Sequence, residues 1–522
     1  MGRKHRRSAS IRATVILLAL AVAAPAAVAA PGDPDTNFDG DAKRLVYFEG
    51  TDAGHDVAIM PNGRILVVGS NAVGINPPDF AAARVLPNGA MDTSFSGDGI
   101  ATIDEIGDPF ANEARAVVPL PDGRAIVTGR AYVSGAHAFG TVRLLANGTP
   151  DTSFGTGGES VYQVGGDYGA FDADLAPDGD IIVAGVGIGG TSGDNDLTVM
   201  RLDPNGVLDT TFKDSGFAWL DGGSDEYGRA LDVAPDGAMA MAGDDGTDAV
   251  VGLFQADGSP DPDFGTNGVV TLDLGGFGDT AAAVALEPDG DVLVAGTDGS
   301  AAIVVRLEPD GSPDTSFAGD GTFDFPEGTA SSAQDLQLHH FGSILVAGDV
   351  TLPGPPADQQ GLLFRLRPDG TLDPAFGGGD GWAAAGFAGR TDGFAGLSVG
   401  SNSIAVAGTS EPAVGSDDEM FVARFKDRAA SGITVTVRKK TQRAVFKGKV
   451  SPNHAGQKVR VSYFRKKAGK WRLIARKSPT LNGSSLYSAS FKRSKAKKCR
   501  VVAQFAADLD HLGSSKKAVF RC

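Results

Sequence analysis

The fifteen residues "EPDGSPDTSFAGDGT", numbered 308–322, place a Pro-Asp-Gly turn before an Asp-Thr-Ser-Phe phrase and a glycine. Near-copies occur twice more, as "LPNGAMDTSFSGDGI" at 86–100 and "DPNGVLDTTFKDSGF" at 203–217. A phrase that recurs at a regular period is typical of a structural repeat rather than of a single active site. The stretch therefore predicts a repeat architecture.

Two anchors of the repeat each occur seven times. The phenylalanine of the phrase returns every 52 to 59 residues, at Phe38, Phe95, Phe154, Phe212, Phe264, Phe317 and Phe376. A glycine that ends a short apolar run occurs at Gly69, Gly129, Gly185, Gly243, Gly296, Gly348 and Gly408. Two anchors in register indicate seven units.

Each unit contains four short segments with strand character. Around Gly296 these are "AAVALEP", "DVLVAG", "AIVVRLEP" and "GTFDF". Pro-Asp-Gly turns join the first segment to the second and lead out of the third, because Pro presets one turn position and Gly takes the left-handed one. The phrase should therefore connect the third and fourth strands, with its Asp capping backbone N–H groups and its Phe buried between sheets.

Seven four-stranded units in an all-β chain predict a seven-bladed β-propeller over residues 30–428. The two ends of the repeat region are complementary. It begins with a fourth-type segment, "KRLVYF" at 43–48, and its last unit stops after a third-type segment, "FVARF" at 421–425. We expect the N-terminal strand to complete the last blade, because closure removes free sheet edges.

The pattern "PDG-x-ILVAG … R-L-x-PDG-x-x-D-x-x-F-G" resembles the delta-60 repeat, a bacterial β-propeller family of secreted or surface proteins. The resemblance covers about Asp35 to Phe425 and implies the fold; it carries no catalytic residues to this chain. Unit four has Leu253 where the other units place an arginine, at Arg84, Arg143, Arg201, Arg306, Arg365 and Arg424. We expect these arginines to make a repeated structural contact with a turn Asp or a backbone carbonyl.

Residues 1–29 have the pattern of a signal peptide. A basic cluster precedes an apolar stretch, and the small residues "AVA" allow cleavage after Ala29. A membrane anchor is the alternative, but the apolar run is short and interrupted by Pro25. The sequence contains no later bilayer-spanning segment, so we expect a secreted or cell-wall-associated protein.

Residues 429–522 differ sharply from the repeats. Residues 431–522 contain 24 Lys and Arg against two acids, whereas the chain between the N-terminal basic cluster and residue 431 carries a net charge of −44. About seven alternating segments predict a β-sandwich, and "KGKVSPNHAGQKVRVSYFRKKAGKWRLIARKSPTLNGSSLYSASF" resembles immunoglobulin-like modules of secreted actinobacterial proteins. The cations could bind an anionic cell-wall polymer, dock on the acidic propeller, or serve solubility. An exported chain without a base-stacking motif argues against nucleic acid.

The only two cysteines, Cys499 and Cys522, lie at the ends of strand segments in this basic region. Export places them where thiols oxidise. We therefore predict a Cys499–Cys522 disulfide, formed by hairpin-like pairing of the two segments.

No residue is assigned to catalysis, to a cofactor or to a metal. The pair His339-His340 could ligate a metal, but it replaces a Pro-Asp turn, and we interpret it as an altered loop. Calcium is a candidate for the acidic stretches at 189–197, 243–248 and 415–419, although none has the EF-hand spacing. We therefore expect no cofactor.

These observations favour a monomeric, non-catalytic binding or scaffold protein whose propeller loops contact an extracellular protein or polysaccharide. The alternative is a propeller enzyme of hydrolase, lyase or lactonase type, acting on a carbohydrate or lactone. Carboxylates clustered with a His or Arg at one mouth of the channel would favour the enzyme.

Overall fold

The computed structural model describes residues 30–74, 76–103, 106, 111–166, 168–189, 193–276, 278–354, 356–412, 417–428, 432–439, 443–451, 456–494, 496, 498–506 and 514–522. The expected signal peptide at 1–29 lies outside these residues. Within them, no helix has the length and apolar character needed to cross a membrane.

Strand β1 (Lys43–Val46) precedes a series of four-stranded antiparallel sheets. Sheet 1 contains β2 (Thr51–Ile59), β3 (Ile65–Ala72), β4 (Asp79–Val85) and β5 (Ile100–Ile103). Sheet 2 contains β6 (Glu113–Pro119), β7 (Ala125–Val133), β8 (Ala136–Leu144) and β9 (Glu159–Tyr162). Sheet 3 contains β10 (Ala170–Leu175), β11 (Ile181–Gly187), β12 (Asp196–Leu202) and β13 (Phe217–Leu220).

The same arrangement continues along the chain. Sheet 4 contains β14 (Tyr227–Val233), β15 (Met239–Asp244), β16 (Ala249–Phe254) and β17 (Val269–Leu272). Sheet 5 contains β18 (Thr280–Leu286), β19 (Val292–Thr297), β20 (Ala302–Leu307) and β21 (Thr322–Asp324). Sheet 6 contains β22 (Ala330–Leu338), β23 (Ile344–Leu352), β24 (Asp358–Leu366) and β25 (Trp382–Ala385), with 3-10 turns at His340–Gly342 and Gly377–Gly379.

Sheet 7 combines the two ends of the repeat region. It contains β26 (Arg390–Val399), β27 (Ser403–Pro412) and β28 (Glu419–Lys426), and β1 is its fourth strand. Lys43 pairs with Ala423 and Val46 with Met420, antiparallel. The first strand of each sheet contacts that of the next, and β26 of sheet 7 contacts β2 of sheet 1.

The second sequence anchor marks a β-bulge. The first strand of every sheet carries one, as between Ala281 and Ala283 in β18. Gly296 lies opposite this bulge, and a Cβ there would approach the carbonyl oxygen of Thr280 to 1.8 Å. The position requires glycine because the bulged strand passes too close for any side chain.

The core between sheets is divided into seven clusters, each shared by two neighbouring sheets of the described repeats. Each cluster but one contains a repeated phenylalanine supplied by the earlier of its two sheets; in the cluster between sheets 7 and 1, the N-terminal segment supplies Phe38. All seven phenylalanines have at most 4% of their surface exposed. The period of the sequence therefore reflects one aromatic side chain per junction.

The tail forms two further sheets. The first contains β29 (Gly432–Ile433), β30 (Thr436–Lys439), β31 (Arg443–Ser451) and β34 (Leu486–Lys492), all paired to β31. The second contains β32 (Val459–Lys467), β33 (Lys470–Lys477), β35 (Cys499–Phe505) and β36 (Ser514–Phe520), in the order β33-β32-β35-β36. The described tail has eight strands rather than about seven, because the segment "GITVTVRKK" divides into β29 and β30.

Both tail sheets bury one shared core. Phe446 of β31, Tyr463 of β32 and Phe491 of β34 belong to it. The predicted disulfide between Cys499 and Cys522 is present, with Cα atoms 5.2 Å apart. It ties the C-terminal residue to the start of β35, so the chain end is held against the core.

Candidate functional site

The repeated arginines hold the connectors in place. Arg306 Nε donates to Asp314 Oδ2 at 2.7 Å and Nη1 donates to the carbonyl oxygen of Pro368, in the next sheet, at 2.9 Å. Its guanidinium lies 4.9 Å from the ring centre of Phe317. The aspartate and phenylalanine contacts recur at Arg84, Arg143, Arg201, Arg365 and Arg424. These residues join neighbouring sheets and are not grouped around one site.

The first strands of the seven sheets line a cavity of about 770 Å³. The bulge of each strand presents one residue at an equivalent position, and we call this set the bulge ring. Its members are His55, Arg115, Phe171, Arg229, Ala282, Gln334 and Ala395. The cavity extends from the ring to the first hairpins, near Pro119 and Pro235.

Polar side chains beside the bulge ring cap the inner strands. These strands are sheet edges, so alternate backbone N–H groups have no strand partner. At five of the seven junctions, a side chain of one inner strand accepts a hydrogen bond from the next strand. The acceptors and N–H donors are Asp56 and Val117 (2.7 Å), Asp172 and Leu231 (2.7 Å), Asp174 and Val233 (3.3 Å), Asp232 and Leu286 (2.6 Å), Asp335 and Leu397 (2.6 Å), Gln337 and Val399 (3.1 Å), and Ser398 and Ile59 (2.9 Å).

Burial raises the pKa of all five capping carboxyl groups, and most strongly that of Asp56, Asp172 and Asp335. Burial raises the pKa of Asp56 to about 7, and hydrogen bonds from backbone N–H groups offset only part of the effect. Burial also raises the pKa of Asp172 and of Asp335 well above the usual range, and the charge of Asp56 adds to the effect on both. The channel therefore favours protonated carboxyl groups near neutral pH.

These pKa shifts predict a pH dependence of stability. The folded state keeps a proton on Asp56 that the unfolded chain loses near pH 4, so the stabilisation is full below about pH 4 and is lost as the pH rises through about 7. The variant Asp56→Asn cannot ionise. Relative to wild type, we expect its free energy of unfolding to improve by about 4 kcal/mol between pH 4 and pH 8.

Urea unfolding at several pH values measures this difference. A pH-independent effect of the amide group on stability cancels, because the measured quantity is how the difference in free energy of unfolding between the variant and wild type changes with pH. Asp98→Asn, in an exposed turn, is the matched control and should follow the wild-type pH curve. Parallel curves for Asp56→Asn and wild type would show that Asp56 ionises normally in the channel.

Charged members of the bulge ring also have partners. Arg115 forms an ion pair with Glu113, and Arg229 Nε lies 2.5 Å from Asp244 Oδ2. Burial, followed by the positive charge of Arg115, lowers the pKa of His55 to about 4. The structure thus brings carboxyl groups, a histidine and arginines to one channel, but it places them in hydrogen bonds and ion pairs. Such a channel can hold a polar ligand.

Two of the acidic stretches gather further acids. Asp194 and Asp196 lie near Asp221, and Asp248 lies near Asp273 and Asp279, with ligand atoms within 4.8 Å in each group. Asp279 Oδ2 also accepts a bond from Leu274 N at 2.6 Å, which is a structural role. Residues 415 and 416 of the third stretch lie outside the described residues. Acidic clusters of this kind do not assign calcium.

The tail presents a basic outer face on the sheet β33-β32-β35-β36. Strand register places five cations on it: Arg460, Lys466, Arg476, Arg500 and Lys517. Among them lie five apolar side chains: Phe464, Trp471, Leu473, Val502 and Val519. The guanidinium of Arg500 lies 4.7 Å from the ring centre of Phe464 and 4.9 Å from that of Trp471. The four strands contain no acidic residue.

Sequence reasoning missed the capping carboxylates of the channel. A signal was present in "AFDADLAP" at 170–177, where two aspartates interrupt a strand of small and apolar residues. A charged side chain in such a strand indicates a special partner. Only the neighbouring strand, 59 residues later for Asp172 and Leu231, identifies that partner.

Comparison with known proteins agrees with this architecture. Residues 61–95, 120–154, 176–212, 287–317 and 342–376 match the family described as "Domain of unknown function (DUF5122) beta-propeller". No curated protein matches the chain. Five segments between residues 61 and 376 therefore match repeats of a β-propeller family.

The solved structures that match the chain have low sequence identity and low TM-scores. A protein of unknown function from Dyadobacter fermentans is 11% identical with a TM-score of 0.35, and the match covers 74% of this chain and 98% of that one. A Lactobacillus plantarum protein is 11% identical with a TM-score of 0.34, covering 82% and 99%. The S. cerevisiae core factor is 10% identical with a TM-score of 0.36, covering 74% and 60%.

Proposed function

We propose that the seven sheets form a seven-bladed propeller of the delta-60 type, closed by β1, and that residues 429–522 form an immunoglobulin-like sandwich. The cyclic contacts between first strands and the seven inter-sheet clusters support the ring. The shared core of the two tail sheets supports the sandwich. The domain boundaries at 29 and 429 and the monomeric, secreted or cell-wall-associated state belong to the same proposal.

We further propose a non-catalytic binding or scaffold function. In this reading the tail adheres to an anionic cell-wall polymer while the propeller presents its loops to an extracellular protein or polysaccharide. The observation that carries the proposal is the basic outer face, where five cations surround exposed apolar groups. Leu473 is 45% exposed and Val519 57% exposed.

The chemistry of this face suits a polymer with both anionic and apolar parts. Exposed cations attract phosphate or carboxylate groups over roughly 8 Å at physiological ionic strength. Trp471 and Leu473 offer apolar surface against which sugar rings can pack. The acidic propeller repels the same polymer, so contact is confined to the tail.

The test compares two triple variants of the full chain. Lys466→Gln, Arg476→Gln and Lys517→Gln remove three cations from the basic outer face. Arg438→Gln, Lys447→Gln and Lys449→Gln remove the same charge from the other tail sheet. We expect the first variant to lose about tenfold in affinity for a purified anionic wall polymer, since exposed ion pairs contribute up to about 1 kcal/mol each. Cosedimentation at two salt concentrations measures the binding.

The second variant should bind almost as well as wild type. Equal losses of polymer affinity in both variants would show that adhesion depends on the net charge of the tail and not on the basic outer face. Absence of wild-type binding at low salt would contradict adhesion altogether. If the tail instead docks on the propeller through these cations, the first variant should release it. Release would expose polymer binding sites or change the hydrodynamic radius, which sedimentation velocity measures.

The second candidate function is a propeller enzyme of hydrolase, lyase or lactonase type. The raised pKa values of Asp56, Asp172 and Asp335 favour it, because protonated carboxyl groups near neutral pH suit a general acid. Their hydrogen bonds to the next inner strand favour the structural role. Screening wild type and Asp172→Asn against wall polysaccharides and lactones separates the two: any turnover that the variant loses, without loss of stability, would establish the enzyme.

A further inference from the structure

A mixed histidine and aspartate cluster lies away from the channel. His339 and His340 are in the first hairpin of sheet 6, and Asp427 follows β28 where the chain leaves sheet 7. One ligand atom from each residue lies within 4.8 Å of the others. The side chains of His339 and Asp427 are fully buried, whereas that of His340 is 43% exposed.

The hydrogen bonds around His339 leave Nε2 directed at Asp427. Ser343 Oγ lies 3.2 Å from the carbonyl oxygen of His340, to which it can donate, and 3.0 Å from Nδ1 of His339. In the tautomer with the proton on Nδ1, Nε2 offers a lone pair toward Asp427. Nε2 lies 2.7 Å from Asp427 Oδ1, yet neither atom makes an aligned hydrogen bond.

In that tautomer the two buried lone pairs repel each other, and a cation between them removes the repulsion. The misaligned geometry makes a direct hydrogen bond between His339 and Asp427 weak. A metal ion bound to both atoms does not need that alignment. Ligand atoms about 2.0–2.2 Å from one tetrahedral zinc ion lie roughly 3.4 Å apart, so Nε2 and Oδ1 must separate by less than about 1 Å to admit the ion.

We propose that His339, His340 and Asp427 bind a divalent transition metal ion of the zinc class. Two imidazoles and one carboxylate are the donor types that zinc prefers, and partial exposure of His340 leaves a route for the ion and a fourth position for water. Ser343 orients His339, and Arg428 Nε donates to Asp427 Oδ2 at 3.2 Å. Such supporting hydrogen bonds are typical of metal ligands.

The ion would join elements that sequence separates widely. It links the hairpin after β22 to the residue that follows β28, next to the connection into the basic tail. Metal binding at this point stabilises the folded state, because the unfolded chain does not hold the three ligands together. The bound ion would therefore link sheet 6 to sheet 7.

Zinc titration of the tag-free chain, stripped with EDTA and followed by calorimetry, tests the proposal. We expect one ion per chain and a raised thermal transition that EDTA reverses. His340→Ala should lose at least about tenfold in affinity while its metal-free thermal transition stays unchanged, because the side chain is half exposed. Ser343→Ala should weaken binding by about 10- to 100-fold.

His137→Ala is the matched control, since it removes a histidine elsewhere in the repeats and should keep wild-type affinity. Cobalt added to the stripped wild-type chain should give visible absorption bands that His340→Ala lacks. No stoichiometric zinc binding by wild type would overturn the proposal and leave a His339–Asp427 ion pair. Equal zinc affinity in wild type and His340→Ala would overturn it as well.

Discussion

Phe317→Ala should lower the free energy of unfolding by about 3–5 kcal/mol. The side chain of Phe317 is fully buried in the cluster between sheets 5 and 6, where Leu293 and Phe364 also lie. Truncation removes the ring's contacts and leaves a cavity that close-packed neighbours fill only partly. It also removes the aromatic face over which Arg306 lies.

Equilibrium unfolding in urea measures this effect. Phe341→Ala is the matched control, because Phe341 is 65% exposed and the same substitution there should cost less than about 1 kcal/mol. A cost below ~1 kcal/mol at Phe317 as well would show that the repeated phenylalanine contributes little to the packing between sheets. The period of the sequence would then need another explanation.

Deletion of residues 31–48 should make the chain unfold over a broad range and lose more than about 5 kcal/mol of stability. The deletion removes β1, which exposes the edge of β28, and it removes Phe38 from the cluster between sheets 7 and 1. It also leaves Arg424 without Asp35, its ion-pair partner. Differential scanning calorimetry measures both the transition temperature and its width.

Complementation distinguishes strand closure from general damage. A synthetic peptide of residues 31–48 should bind the shortened chain and restore a sharp transition. The same peptide with Phe38→Ala should restore it less, because the aromatic contact is missing. An unchanged transition in the shortened chain, without peptide, would argue that β1 does not hold the repeat region closed.

The repeat architecture could be predicted from sequence because its rules are local. Pro-Asp-Gly turns set hairpins within a few residues, and alternation of apolar residues sets the strands. Phe317 and its equivalents recur at a regular period because each junction between neighbouring sheets buries one aromatic ring. Each unit repeats the same turn and strand residues. The Cys499–Cys522 pair was also predictable, since no other cysteine competes for either partner.

The sequence did not reveal why the second anchor must be glycine. Gly296 looks like the end of an apolar run, but its requirement arises from the carbonyl oxygen of Thr280 across the bulge. Arg306 was predictable as a structural residue, whereas its bond to Pro368 in the next sheet depends on how neighbouring sheets pack.

By itself, the sequence determined the repeated sheets, the turns, the acidic and basic division of the chain and the disulfide, because each depends on residue type and spacing. Tertiary structure alone decided what Asp56, Asp172 and Asp335 do, since their partners are unpaired N–H groups on the next inner strand. It also brought Asp427 to His339, across sheets 6 and 7. Contacts between distant segments depend on sheet packing, and no local pattern encodes which edge faces which side chain.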